Sequence, residues 1–324
     1  MDFNLDYTRY FLWAERSSEY HIDNMLTTAV TNKAVIFGPE ECDVANDWGR
    51  LNIVPESIDL TVVICGINTN HLPHHSIPKT AKLVLWPTFW MTKTYLDLYH
   101  DQVLDDSVID KLYMSLNSKP RPHRSMLMDE LCLHDLLKHG YVSWHIDDPD
   151  YAWKYWKSTK LIIDTESVNQ WTVPSTYKST LFNLITESST DIVFVTEKTC
   201  TAMFFKKPFL VLGARGFHGE LKNMGFELYD ELFDYSFDTD PSLTNRINGI
   251  INNINNLKDQ DYKLLRQKVK DKVEHNYNKV VELATSRKHV PDVMLQYIDT
   301  IKKNPELVTP YDLNYLEMEK LLTH

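Results

Sequence analysis

The stretch "LFNLITESSTDIVFVTEKTCTAMFFKKPFLVLG", residues 181–213, decides the fold. Three short apolar runs stand out in it: LFNLIT (181–186), DIVFVT (191–196) and PFLVLG (208–213). They are rich in β-branched and aromatic residues and read as buried strands. A helical pattern starts at Glu197, behind Thr196, a residue type that caps helix N-termini well. Strand, helix, strand is the signature of a parallel sheet with crossover helices. A charged pair, Glu197 and Lys198, sits at the junction of two buried elements. Lysine in a first helical turn opposes the helix dipole, and an anion bound there would remove the conflict. Lys198 and the helix N-terminus therefore form a candidate diphosphate site, with Glu197 available to ribose or sugar hydroxyls. The plainer reading is an ion-paired helix start.

Upstream, KLYMSLN (111–117) reads as a strand and RSMLMDELCLHDLLKHG (124–140) as a helix stopped by Gly140. Arg124 enters that helix after a loop with two prolines, and an arginine there can fork two phosphate oxygens. KLIID (160–164) and FELY (226–229) read as further strands. In the first third, KAVIFG (33–38), LTVVICG (60–66) and KLVLWPTFW (82–90) read as strands, and residues 9–30 carry a helical signal. Residues 243–283 are apolar at spacings of three and four, with lysines on a solvated helix face.

Two series of alternating strands and helices predict an α/β protein of two Rossmann-like, doubly wound domains. The expected division is 1–108, 109–295 and a helical tail over 296–324. Such sheets bind ligands at the carboxyl ends of their strands. In the first domain VIFGPEECD places Glu40, Glu41 and Asp43 after a strand, where a carboxylate can serve as general base. His71, His74 and His75 follow another strand but lack the ligand spacing of a metal site. Asp238 and Asp240, and Asp148 and Asp150, read as turns. Trp86, Phe89 and Trp90, and Trp153, Tyr155 and Trp156, are candidates for stacking on sugars or bases, with core packing as the plainer reading.

Bulk properties narrow the classes. The chain has 324 residues, 43% hydrophobic and 24% charged, which is ordinary for a globular protein of about two domains. No apolar run approaches the ~20 residues of a membrane span, and the N-terminus has no signal-peptide pattern. The four cysteines are scattered and read as reduced core thiols, which predicts a cytoplasmic protein. A net charge of −11 argues against a broad grip on nucleic acid. With nine glycines and neither GxGxxG nor a Walker A pattern, a phosphate site must use a helix N-terminus and side chains.

Taken together, these segments resemble the family 10 glycosyltransferases, the α1,3/4-fucosyltransferases, and their divergent phage and viral relatives. The family's donor motif runs Glu-Asn, a few residues, then Tyr-Val-Thr-Glu-Lys, a helix and a strand ending in Gly. TESSTDIVFVTEK matches its length from Glu187 to Lys198, with Ser188 in place of the Asn and Phe194 in place of the Tyr. Thr196, Glu197 and Lys198 match directly, and KPFLVLG supplies the strand. MSLNSKPRPHRSMLMDEL is similar to the family's opening of its second domain, with Arg124 at the phosphate-binding position. VIFGPEE is similar to the segment carrying the family's general base, with Glu40 or Glu41 in that role.

The resemblance implies a GT-B fold with an interdomain cleft and a helical C-terminus. It implies an inverting, metal-independent transfer of a sugar from a nucleoside diphosphate to an acceptor hydroxyl. Donor contacts would come from Arg124, Glu187, Ser188, Phe194, Thr196, Glu197 and Lys198. The acceptor would be a glycan or a hydroxylated or hydroxymethylated base of phage DNA. The non-enzymatic alternative is a binding protein of this fold that has lost catalysis, for which Ser188 and Phe194 are the relevant departures.

Overall fold

The computed structural model describes residues 9–12, 33–38, 59–64, 80–87, 108–117, 121–144 and 174–303. The chain divides into two compact units, Met1–Met91 with Leu283–His324, and Thr92–Glu282. Each contains a parallel sheet, so the protein is α/β.

The first unit's sheet runs in sequence order: β1 (Arg9–Leu12), β2 (Lys33–Gly38), β3 (Asp59–Ile64) and β4 (Lys82–Leu85). All three pairings are parallel, with Ile36 opposite Val62 and Val62 opposite Leu83. Leu60, Val62 and Val63 are fully buried. β1 falls inside the stretch expected to be helical. Its Tyr10-Phe11-Leu12 run lies beside β2, where sheet pairing overrides a weak local period. Trp86, just past β4, is buried, so it packs rather than offering a face for stacking.

The second unit's sheet has the order β6-β5-β7-β8, all parallel. β5 is Lys111–Asn117, β6 Gly140–Trp144, β7 Thr180–Thr186 and β8 Phe209–Leu212. Every residue of β7 and β8 is buried, as expected of parallel strands covered on both faces. Helix α1 (Pro122–Leu133) connects β5 to β6, and α2 (Glu197–Phe204) connects β7 to β8. Then come α3 (Phe217–Asn223), α4 (Leu243–Leu257), α5 (Tyr262–Lys268), α6 (Lys270–Thr285) and α7 (Asp292–Lys303). The expected helical run over 243–283 is thus three helices. The Asp261 carboxylate breaks it by capping α5, accepting from the N–H groups of Lys263 and Leu264 at 2.9 and 3.1 Å.

Three expectations are corrected in this unit. Helix α1 stops at Leu133, not Gly140. Asp135 takes a left-handed turn (φ 54), and Gly140 opens β6 instead. The register sets Gly140 opposite Tyr113, and a Cβ at residue 140 would overlap the Tyr113 ring. That glycine makes room for a tyrosine rather than ending a helix.

Residues 193–196 are buried, but the 191–196 run forms no strand. β8 takes the place beside β7, and the few residues after Thr186 are too short for a parallel crossover, which needs about a dozen. Residues 226–229 are not a strand either. The buried Asn276 amide on α6 supplies what a neighbouring strand would. Its Oδ1 accepts from Glu227 N–H and its Nδ2 donates to Glu227 C=O, both at 2.8 Å.

KLIID (160–164), Glu40, Glu41, Asp43, the His71–His75 cluster, Asp148, Asp150, Phe89, Trp90 and the Trp153–Trp156 aromatics lie outside the described residues.

Candidate functional site

The strand order creates a special place. The chain leaves β5 on one side to form β6, then crosses to the other side to form β7. The direction of winding reverses between β5 and β7, and such reversals open a crevice at the carboxyl ends of the strands. Here those ends are joined by a buried polar cluster. Thr186 Oγ1 donates to Asn117 Oδ1 at 2.6 Å, and Asn117 Nδ2 donates to Ser115 Oγ at 3.1 Å. Asn117 N–H donates to Ser143 Oγ of β6 at 3.2 Å. These groups tie together the ends of three strands.

Beyond β7 the chain runs Glu187-Ser188, and the start of α1 grips it. Three basic residues reach three successive carbonyls. Arg124 Nη2 donates to Thr186 C=O at 3.3 Å, His123 Nε2 to Glu187 C=O at 2.9 Å and Arg121 Nη1 to Ser188 C=O at 2.6 Å. Pro122 suits the first turn, where its missing N–H costs nothing. Burial lowers the His123 pKa to about 4, its bond to the Glu187 carbonyl opposes this, and Arg124 and Arg121 lower it further. The ring is therefore neutral at physiological pH. Arg124 is buried at 3% exposure, and its described bond goes to the backbone.

The start of α2 completes the cluster. Thr196 is extended (φ −97, ψ 179) and caps the helix as expected, its Oγ1 accepting from Lys198 N–H at 3.3 Å. Lys198 Nζ lies 2.7 Å from Glu197 Oε1, and this pair keeps side-chain exposures of 26% and 30%. Glu187 is wholly buried beneath the turn, bonded to Thr196 and Thr199. Burial raises its carboxyl pKa, and the Lys198 ammonium and the two threonine hydroxyls pull it back in part.

Arg124, Glu187, Ser188, Thr196, Glu197 and Lys198 are thus brought to one end of one sheet. Phe194 lies in the buried run leading to α2, at 8% exposure, and Ser188 is also buried. Of these residues, the solvent-facing side chains are Glu197 and Lys198.

Comparison with protein-family models, curated proteins and solved structures finds no match.

Chemically, the arrangement presents an ammonium at a capped helix start above a rigid polar floor, which suits an anionic group. Among the described residues, no cluster of His, Cys, Asp or Glu is placed to hold a metal ion. No helix among them is long and apolar enough to cross a membrane. Cys132 and Cys200 are free thiols.

Arg121, His123, Asn117 and Thr199 were not singled out from the sequence. The sequence signal that bears on this end is the basic run KPRPHR (119–124), which with FFKK (204–207) could supply a local basic rim. FFKK does not contribute to this end. Lys207 is buried, bonded to Thr180 Oγ1 at the opposite end of β7 and stacked over the Tyr177 ring, while Lys206 pairs with Glu274.

Asp238, expected to be a turn residue, also has a partner within the fold. It accepts at 2.7 Å from His218 Nδ1 and from the N–H groups of His218 and Gly219. His218 Nε2 accepts from Val211 N–H on β8. Both ring nitrogens are engaged, so this buried pair is a brace for β8, not an acid–base dyad open to a substrate.

Proposed function

We propose that the chain is an inverting glycosyltransferase of GT-B architecture that uses a nucleoside-diphosphate sugar. One observation carries the reading: Lys198 stands half exposed in the first turn of α2, at the carboxyl end of β7, where the sheet reverses its winding. That is where phosphates bind in open α/β sheets.

In the proposed step the acceptor oxygen attacks the anomeric carbon. A new C–O bond forms on the opposite face as the bond to the diphosphate breaks, which inverts the centre. Glu40 or Glu41 takes the acceptor's proton. Lys198 and the start of α2 stabilise the charge growing on the departing diphosphate. Arg124 and Arg121 hold the β7 exit loop in place beside it. In this reading the Lys198 ammonium and the start of α2 supply the stabilisation for which other transferases use a metal, so the reaction needs none. Glu197 is placed to accept from the donor's ribose hydroxyls, and Lys198 then exchanges its partner for phosphate. The acceptor is a glycan hydroxyl or a hydroxylated base of DNA. The acidic net charge favours the glycan.

A thermal-shift screen with GDP, UDP, CDP and ADP tests the donor site. Ligand at 100 times its Kd adds about 2.7 kcal/mol to the folded state, enough to move the melting temperature by several degrees. One nucleotide should raise it, and Lys198→Ala should abolish the rise. No shift with any nucleotide would reduce the Thr196–Lys198 block to a helix start.

A further inference from the structure

We infer that Glu187 is a positioning residue: it fixes the Thr196 hydroxyl so that its lone pairs hold Lys198 in place for a diphosphate. The inference rests on the phosphate reading of Lys198 given above.

Glu187 is completely buried, so its carboxylate acts within the fold. The bonds described for its carboxylate all go to the start of α2. Oε1 accepts from Thr196 N–H at 3.1 Å and from Thr199 Oγ1 at 2.6 Å, and Oε2 accepts from Thr196 Oγ1 at 2.5 Å. An ionised carboxylate only accepts, and a threonine hydroxyl has one hydrogen to give. That hydrogen is committed to Glu187. Both lone pairs of Thr196 Oγ1 are then left to accept, and the two groups near them are donors of one residue. Lys198 N–H is at 3.3 Å and Lys198 Nζ at 3.4 Å. A buried carboxylate that accepts three bonds thus orients a hydroxyl, and the hydroxyl holds the backbone and ammonium of the phosphate-binding lysine.

An amide at residue 187 would break this relay while keeping the volume filled. Glutamine has a single acceptor oxygen, and its NH2 group would face Thr196 Oγ1 as a donor. The Thr196 hydrogen would have to turn away, toward the N–H and ammonium of Lys198. Three donors would then meet at one oxygen, and Lys198 would leave its position. Thr199 provides the contrast. Its hydroxyl also bonds Glu187, but it has no described link to Lys198.

The test is calorimetric titration of the full chain with GDP, UDP, CDP and ADP, with circular dichroism and melting to confirm folding. Glu187→Gln and Thr196→Val should each weaken binding about tenfold, the equivalent of one charge-assisted hydrogen bond. Combined, they should be no weaker than the worse single variant, because both cut one relay. Thr199→Val should lower the melting temperature and leave affinity within about twofold, since it removes a bond of Glu187 outside the relay. If Glu187→Gln does not fold, Thr196→Val against Thr199→Val decides alone. Wild-type binding that is lost in Lys198→Ala but kept in folded Glu187→Gln overturns the inference and leaves the donor site standing. Equal losses in Thr196→Val and Thr199→Val also overturn it. No binding by the wild type overturns the donor site and the inference together.

Discussion

His123 shows how one buried side chain can set a pH response. Its ring is buried, neutral and bonded to the Glu187 carbonyl, with a pKa lowered to about 4. In the unfolded chain histidine titrates near 6.5. Between these values the unfolded state binds a proton that the folded state refuses. Stability from this residue is therefore complete above about pH 6.5 and is lost as pH falls toward about 4. The span corresponds to on the order of 3 kcal/mol. His123→Gln can still donate from an amide but does not titrate. It should unfold in urea with a shallower loss of stability across that window. An unchanged pH slope in the variant would place the acid sensitivity elsewhere.

At the scale of elements, packing overrides propensity. Gly249 lies mid-helix in α4, where alanine is favoured by about 1 kcal/mol on propensity alone. A Cβ there would overlap Cβ and Cγ of Phe237, atoms close to the backbone that cannot swing aside. Gly249→Ala should therefore destabilise, by about 1–3 kcal/mol as for other overpacked sites, and lower the urea midpoint. A stabilised variant would show that Phe237 yields. The same contest explains which elements the sequence revealed. β5, β7 and β8 were legible because parallel strands buried on both faces read as unbroken apolar runs. The 191–196 run looked the same, but Val193, Phe194 and Val195 are buried without a ladder. Burial writes the pattern, and pairing does not. The 226–237 segment was opaque because helix side chains satisfy its backbone. Asn276 pairs Glu227, and Asn253 of the asparagine-rich run in α4 pairs Asp234 in the same way. No local period announces an amide that reaches across from another helix.

At the scale of the whole molecule, charge bears on which acceptor the proposed transfer would take. The Thr196 cap and its lysine were legible because a cap and a dipole conflict are local. The grip of Arg121, His123 and Arg124 on the β7 exit was not, since it joins residues more than sixty positions apart in sequence. That grip also removes cations from consideration as a DNA-binding rim. Arg121 and Arg124 bond carbonyls, the His123 ring is neutral, Lys207 is buried, and Lys206 is paired. On a chain of net charge −11, few described cations remain near the site to neutralise a nucleic-acid backbone. A protein making 6–10 phosphate contacts loses about 10³–10⁵ in affinity between about 50 and 200 mM salt. Apparent acceptor affinity here should change only a few-fold over the same range, as for a neutral glycan whose contacts release no counterions. The measurement is the acceptor's KM at several salt concentrations, taken with saturating donor so that the diphosphate site does not contribute. A steep logarithmic fall would reverse the preference and make a modified base in DNA the acceptor, with its backbone held by residues outside those described.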